Sequence, residues 1–462
     1  MSQPQANPLR RIRTIALIGV ALLAFIPIGF FVVWRSGLSL DVDRRLEALK
    51  SVGLPTSGAE LNNWYSKVAD KQNAALVLTQ ALGLLRNYPD MRSNDVRLFK
   101  LPERGHRLST EQAGLLRGYV GMNSSAIARA DQAINLPESR YPIDCSLCAN
   151  TPLPHLRWLR DLAFLNQYKA MLAIDTTGME DPSSAITTIL GLARTLDDEP
   201  IVLSQLVRTR IIKIALLTLE RTINSLRLNS GAMTTLVDVF SRTEATNRMA
   251  RAIIGERAIY ASYFRMSYEE SLRITGPEND EDHDLMAPLP RKRPFALRLT
   301  GFFERDFRHF LTAMETNIAL ASLPPPRNLA ADKGFAQATA VAQKRLYIAS
   351  SSVLSGLTGV VAREVEGVAY LRLARTALAI EQFRNKQGRL PAGLEELKPH
   401  FLAEIPADPF DGAPLRYRQL PKGYVLYSVD RDGHDDGGRE KPERKKASDK
   451  SSYDITFTVE RW

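Results

Sequence analysis

The chain has 462 residues, 44% of them hydrophobic, and 61 Lys and Arg against 51 Asp and Glu give it a formal charge of +10 at pH 7. Single hydrophobic cores stop growing near about 250–300 residues, so two or more folded units are expected, and the apolar fraction excludes wholesale disorder. Two cysteines exclude a disulfide-rich scaffold, the basic residues form no long tract that would point to nucleic acid, and the six histidines show no HExxH or other paired spacing of a zinc hydrolase.

Ile15 to Trp34 carries no charged or amide side chain. About 20 residues of helix rise about 30 Å, the thickness of a bilayer core. Arg10, Arg11 and Arg13 precede the run, which predicts a cytoplasmic N-terminus, and Trp34 with Arg35 suits the far interface. The other reading is a cleaved signal peptide, but the run exceeds an ordinary h-region and no A-x-A-like site follows. The expectation is a basic tail over 1–14 and a signal-anchor over 15–34 that holds the chain in the inner (cytoplasmic) membrane as a single pass. The bulk then lies outside, which in a Gram-negative cell is the periplasm. A second uncharged run, Leu346 to Ala362, is rich in hydroxyls and glycine and predicts a buried helix rather than a second span.

From 38 to 344 the pattern is helical. Helices are expected over Asn73–Leu85, Thr110–Ile134, His155–Ile174, from Asp181-Pro182 to Leu196, over Ile201–Leu226 after the Glu199-Pro200 break, and over Arg248–Leu272. The pair around Met171 to Leu196 looks like a TPR-type hairpin, yet no 34-residue repeat recurs, so the expectation is an irregular antiparallel helical body. Gly276 to Pro294 reads as a loop. After Leu323-Pro324-Pro325-Pro326 a long helix is expected to run from about Ala331 to Asn385, with 345–385 as a connecting helix and a kink site at Gly356 or Gly359.

Two places in the body hold chemistry-bearing side chains. Glu256 lies inside a helix, where it serves either as a general acid or base or, more commonly, as an ion-paired structural residue. Cys145-Ser146-Leu147-Cys148 is a CxxC pair, but prolines on both sides place it in an extended loop and not at a helix start after a strand. A zinc reading finds only His155 nearby. A local disulfide, free thiols and redox chemistry all stay open.

The last segment, 386–462, has a clear order. A helix ends at Gly388, Leu394 and Leu397 sit on a short helix, Asp408-Pro409 and Asp411-Gly412 form turns, and strands are expected at 415–417, 424–429 and 454–459. Asp432, Asp435 and Asp436 crowd beside Gly433, Gly437 and Gly438. Calcium takes 6–8 oxygens and is the kind of ion such crowding suits. An EF-hand frame starting at Asp432 fails on His434 and Arg439 and on the lack of flanking helices. The bland alternative is a solvated turn, with the basic stretch Arg439 to Lys450 neutralising the carboxylates.

At these residues the chain resembles the periplasmic globular domain of type II secretion pseudopilins, above all the major pseudopilin. The matching stretches are Gly388-Arg389-Leu390-Pro391, Asp408-Pro409-Phe410-Asp411-Gly412-Ala413-Pro414-Leu415-Arg416-Tyr417, Tyr427-Ser428-Val429-Asp430-Arg431-Asp432-Gly433, Gly437-Gly438, Asp454-Ile455 and Trp462. Leu394 and Leu397 match as well, and the resemblance, an ordered set, covers about the last 95 residues. The resemblance implies a small α+β pilin-like head with a short antiparallel sheet, and a calcium loop in which Asp432 and Asp454 match the family ligands, with Asp435 and Asp436 as further candidates. The chain departs from the family at its start: there is no leader-peptidase site and no Glu in the apolar span, so it cannot assemble as an ordinary pilin subunit. Nearly the whole sequence is also similar to large signal-anchored proteins of Planctomycetes and Verrucomicrobia, a resemblance that brings no activity with it.

Together these readings predict a mostly α protein: a transmembrane helix, a helical body and a pilin-like head. The function expected is a structural or interaction component of the cell envelope, in contact with the membrane through 15–34 and with envelope or secretion-type proteins, and without nucleic acid. The alternatives are an envelope enzyme using Glu256 or the Cys145/Cys148 pair and, more weakly, DNA binding by the basic surface.

Overall fold

The computed structural model describes residues 8–86, 101–102, 104–175, 181–244, 247–265, 300–442 and 451–461, and over 8–28 it describes the backbone alone. The molecule is mostly helical with one small antiparallel sheet. Helix α1 (Pro8–Ser51) is continuous through the expected apolar run into the body. Leu38, Val42 and Leu46 recur every four residues and form its buried stripe. The side chains of 15–28, most of the expected anchor, lie outside the described residues. Among the described residues no helix is long and apolar enough to cross a membrane.

Helices α2 (Gly58–Trp64) and α3 (Ala74–Gly83) follow, then α4 (Thr110–Met122) and α5 (Ser124–Ala133). The single helix expected over 110–134 is broken at Asn123, whose side chain accepts from the Arg86 amide and donates to the Arg86 and Tyr119 carbonyls. Helices α6 (Pro154–Asp175), α7 (Pro182–Arg194), α8 (Val202–Ser225) and α10 (Arg248–Arg265) stand where the sequence places them, and α9 (Ser230–Thr243), which the sequence reading did not mark, lies between the last two. Helix α10 is described only as far as Arg265, and the expected loop 276–294 lies outside the described residues. Asp181 caps α7 through the Ser183 amide, with Pro182 at the first helical position.

Helices α11 (Phe302–Ala321), α12 (Ala330–Lys344), α13 (Ile348–Leu357) and α14 (Val360–Gln387) complete the helical part. The one long helix expected from 331 to 385 is thus three. The chain turns at Leu346 (φ 59°) and again at Gly359 (φ 84°). At 10 residues, α13 rises about 15 Å, half of a bilayer core. Its Val353, Leu354 and Leu357 are buried against α11 and its neighbours. Helix α14 ends at Gly388 in the left-handed conformation, its amide bonded to the Arg384 carbonyl, as a C-terminal glycine requires.

Strands β1 (Arg416–Leu420), β2 (Gly423–Ser428) and β3 (Ile455–Glu460) pair antiparallel in the order β1-β2-β3. Leu420 pairs with Gly423, so Pro421-Lys422 makes a two-residue hairpin turn. A Cβ on Gly423 would stand 1.9 Å from the Val459 carbonyl oxygen, so only glycine lets β3 approach.

Packing does not follow chain order. One apolar cluster joins α3–α9 and most of α14 to the sheet, with Leu219, Ala377, Leu426 and Phe457 fully buried in it. A second joins α1, α10–α13 and the first turn of α14 around Phe310, Met314 and Phe335. Helix α14 runs through both, and its stretch from Val365 to Phe383 is core rather than connector.

Candidate functional site

The residues proposed for chemistry fall in two regions, the acidic turn after β2 and the polar interior around Glu199 and Glu256. The turn is organised from Asp408 outward. Asp408 is fully buried, and its carboxylate accepts hydrogen bonds from the Phe410 amide, the Ser428 hydroxyl, the Val429 amide and Arg416 Nη1 at 2.8–3.0 Å. These partners close the Asp408-Pro409-Phe410-Asp411-Gly412 turn onto the end of β2. Arg416, at the start of β1, spends its other nitrogens on Asp411 (2.5 Å) and Asp435 (3.0 Å). One guanidinium therefore ties the motif turn to the acidic turn, in the planar, several-donor manner that lysine cannot reproduce.

Of the four candidate metal ligands, two come together. Asp454 is buried and accepts from the Asp436 amide (3.4 Å) and the Gly438 amide (2.7 Å). Burial, with Asp435 and Asp436 nearby, raises its pKa despite those bonds. Asp436 accepts from the Ser452 hydroxyl through Oδ1, while its Oδ2 is buried with no hydrogen-bond partner. Asp435 is committed elsewhere: the Gly437 amide and Arg416 hold its carboxyl below the usual range. Asp432 is exposed and closes only its own turn, on the His434 amide. Among the described residues no three His, Cys, Asp or Glu are placed to share a metal ion. Asp436 and Asp454 are the two candidates joined by a hydrogen bond, through the Asp436 amide, and Arg416 supplies positive charge to Asp408, Asp411 and Asp435.

In the interior, Gly255 and Glu256 work as a unit. A Cβ on Gly255 would stand 1.8 Å from the Pro200 carbonyl oxygen, so glycine lets α10 touch the Glu199-Pro200 break. Glu256 Oε1 then accepts from the Val202 amide at 3.0 Å and caps α8, whose own N-cap Ile201 has no side chain to do so. Burial pushes the Glu256 pKa up to about 7. The same device recurs. Glu364 accepts from the Met249 amide in the first turn of α10. Asp306 accepts from the Ala349 and Ser350 amides of α13, and Asp332 from the Gly359, Val361 and Ala362 amides of α14. Each carboxylate sits on one helix and satisfies the orphan amides of another.

Cys145 and Cys148 are free thiols, both buried, on a short turn beside α2 and α10. Burial pushes their pKa values up to about 12 and about 11, with Glu199, Asp144 and Glu256 adding to the effect at Cys145. An activated thiolate needs the opposite environment, electropositive and partly exposed. His155, the one zinc candidate near the pair, instead turns Nε2 to Glu199 (3.0 Å) and stacks on Tyr141 at 4.2 Å. Ser204 donates to the same Glu199 oxygen at 2.5 Å, and the Tyr141 hydroxyl shares a 3.0 Å bond with Thr195. A serine, a histidine and a glutamate thus meet, but the serine and the histidine both bond to the carboxylate and not to each other. No nucleophile–base contact results, and all three are buried. Sequence reasoning missed this network; the cue available was a Glu-Pro break between two apolar helices, which leaves orphan polar groups for something to satisfy.

No family model, no curated protein and no solved structure matches the chain. The mostly helical fold and its small antiparallel sheet therefore stand on the molecule's own geometry.

Proposed function

We propose that the chain is a membrane-anchored, non-enzymatic component of the cell envelope whose helical body presents a pseudopilin-like head to a secretion- or pilus-like assembly. The observation that carries this reading is the uncharged run Ile15–Trp34, with Arg10, Arg11 and Arg13 before it, in a helix that continues without a break into the body. The head reading draws support from the three antiparallel strands, the glycine-ended helix before them and the Asp408 turn. The use of Glu256 as a helix cap and the raised thiol pKa values favour a structural over a catalytic interior. Calcium, where bound, would be held by Asp436 and Asp454 and would neutralise their mutual repulsion. Cross-linking in intact membranes followed by pull-down of the full chain tests the reading: recovery of envelope or secretion components is expected, and recovery of none contradicts it.

A further inference from the structure

Helices α1 and α11 run side by side in the same direction: Arg35 meets Glu304 (2.5 Å), Asp41 meets Arg308 (4.0 Å) and Arg45 meets Thr312 (3.0 Å) and Glu315 (3.4 Å). The first turn of α11 is therefore level with Trp34, and the Arg305 guanidinium lies 5.7 Å from the Trp34 ring. On the same turn, Phe302 meets Tyr347 edge-on at 5.7 Å. Asp306, one turn on, holds the amides of Ala349 and Ser350. The loop between α12 and α13 thus stands at the end of the body from which the apolar part of α1 departs.

What that loop presents is unusual for a protein surface. Leu346 is 72% exposed and Ile348 46% exposed, with Lys344 and Arg345 exposed beside them. Leu346 is held at φ 59°, a conformation that leucine rarely adopts, and gains no burial from it. Across the same end, Phe30 (74%) and Val33 (73%) are exposed on α1. Apolar tips beside cationic side chains match the lipid headgroup layer, where hydrocarbon enters the acyl boundary and Lys or Arg meets phosphate.

We infer that residues 344–348 form a second contact with the membrane, seating the body against the lipid surface where α1 leaves it. The inference rests on the anchor reading above. Two apolar side chains would bind a bilayer weakly alone, but the anchor holds them at high effective concentration, so the contact fixes the body's orientation rather than its attachment.

The test uses the full chain in vesicles of phosphatidylethanolamine and phosphatidylglycerol. An environment-sensitive label is placed at Leu346→Cys or, as a control, at Ser322→Cys past the far end of α11. Helix α11 has 20 residues, a rise of about 30 Å. The native thiols are buried, so the unsubstituted chain serves as the labelling blank, and both positions are exposed, so folding is not at stake. Lipid-borne quenchers are expected to reduce emission severalfold more at 346 than at 322, with a blue shift at 346 alone. Equal quenching at both positions, in a chain that stays membrane-bound through alkaline carbonate, overturns the inference and leaves the anchor standing. A chain that carbonate releases overturns both.

Discussion

Glu220, on α8, accepts a 2.7 Å hydrogen bond from the amide of Thr458, on β3. Strand β3 is an edge of the sheet, and an unpaired edge is a template for wrong pairing. Helix α8 covers it with side chains. Asn224 donates to the Thr458 carbonyl and accepts from the Glu460 amide, both at 2.8 Å. Arg461 completes the lock, donating to the Leu226 carbonyl and to Glu381 at 2.6 Å. The head is thus held to the body by polar groups in addition to the shared apolar cluster. Replacing Glu220 and Asn224 by Ala is expected to speed hydrogen exchange of the Thr458 and Glu460 amides at least tenfold relative to those of β2, read by mass spectrometry. Unchanged protection on β3 would mean that apolar packing alone holds the edge.

Asp408 gathers four donors in the interior, one of them cationic. Asp408→Ala would leave two buried amides and the buried Ser428 hydroxyl without their acceptor, while Arg416 would keep Asp411 and Asp435. A loss of about 3–5 kcal/mol is expected in denaturant unfolding. Asp411→Ala, which removes a more exposed partner of the same guanidinium, should cost about 1 kcal/mol or less.

Glu256 gives the interior a pH dependence of known sign. Its pKa is about 7 in the fold against 4.5 for the free side chain, so between those values the folded state holds a proton that the unfolded state has lost. Its contribution is fully present below pH 4.5 and is lost as pH rises through 7. Glu256→Gln keeps the Val202 hydrogen bond and removes the titration. The variant should match the parent near pH 4 and exceed it near pH 8 by an amount on the order of 3 kcal/mol. Equal stability of the two at pH 8 would show that the carboxylate is not held in a desolvating site.

These caps also explain how much of the molecule was legible in the sequence. The start of α7 was readable because Asp181 and Pro182 are adjacent to it. The hairpin of β1 and β2 was readable because Pro421, Lys422 and Gly423 mark the turn between apolar strands. Inside the stretch 331–385 the break at Gly359 falls on one of the two glycines marked as kink sites, whereas the break at 345–347 was not placed, because α13 is capped by Asp306, which comes from another helix. A helix start whose cap is tertiary leaves no local signal. The acidic turn was half legible for the same reason: crowding marked Asp432, Asp435 and Asp436 and the resemblance added Asp454, but only the fold shows that Arg416 takes Asp435 while the Asp436 amide bonds to Asp454.

The Asp436–Asp454 pair makes calcium binding measurable. Millimolar calcium is expected to raise the Tm of the full chain by a few degrees, because a bound cation would stabilise the ionised Asp454 against burial and, secondarily, against its acidic neighbours. Asp436→Asn should abolish the shift, whereas Asp432→Asn, on its own exposed turn, should leave most of it. No shift in the parent would remove calcium from the account.

The central claim is that the run 15–34 holds the chain in the inner membrane with everything after it outside. Topology mapping with paired reporters, one active only in the cytoplasm and one only beyond the membrane, fused after residue 40 and after residue 462, tests it most directly. The account predicts activity of the external reporter at both positions and of the cytoplasmic reporter at neither. Cytoplasmic activity at residue 40 would contradict the claim, because residue 40 would then lie on the wrong side of the membrane.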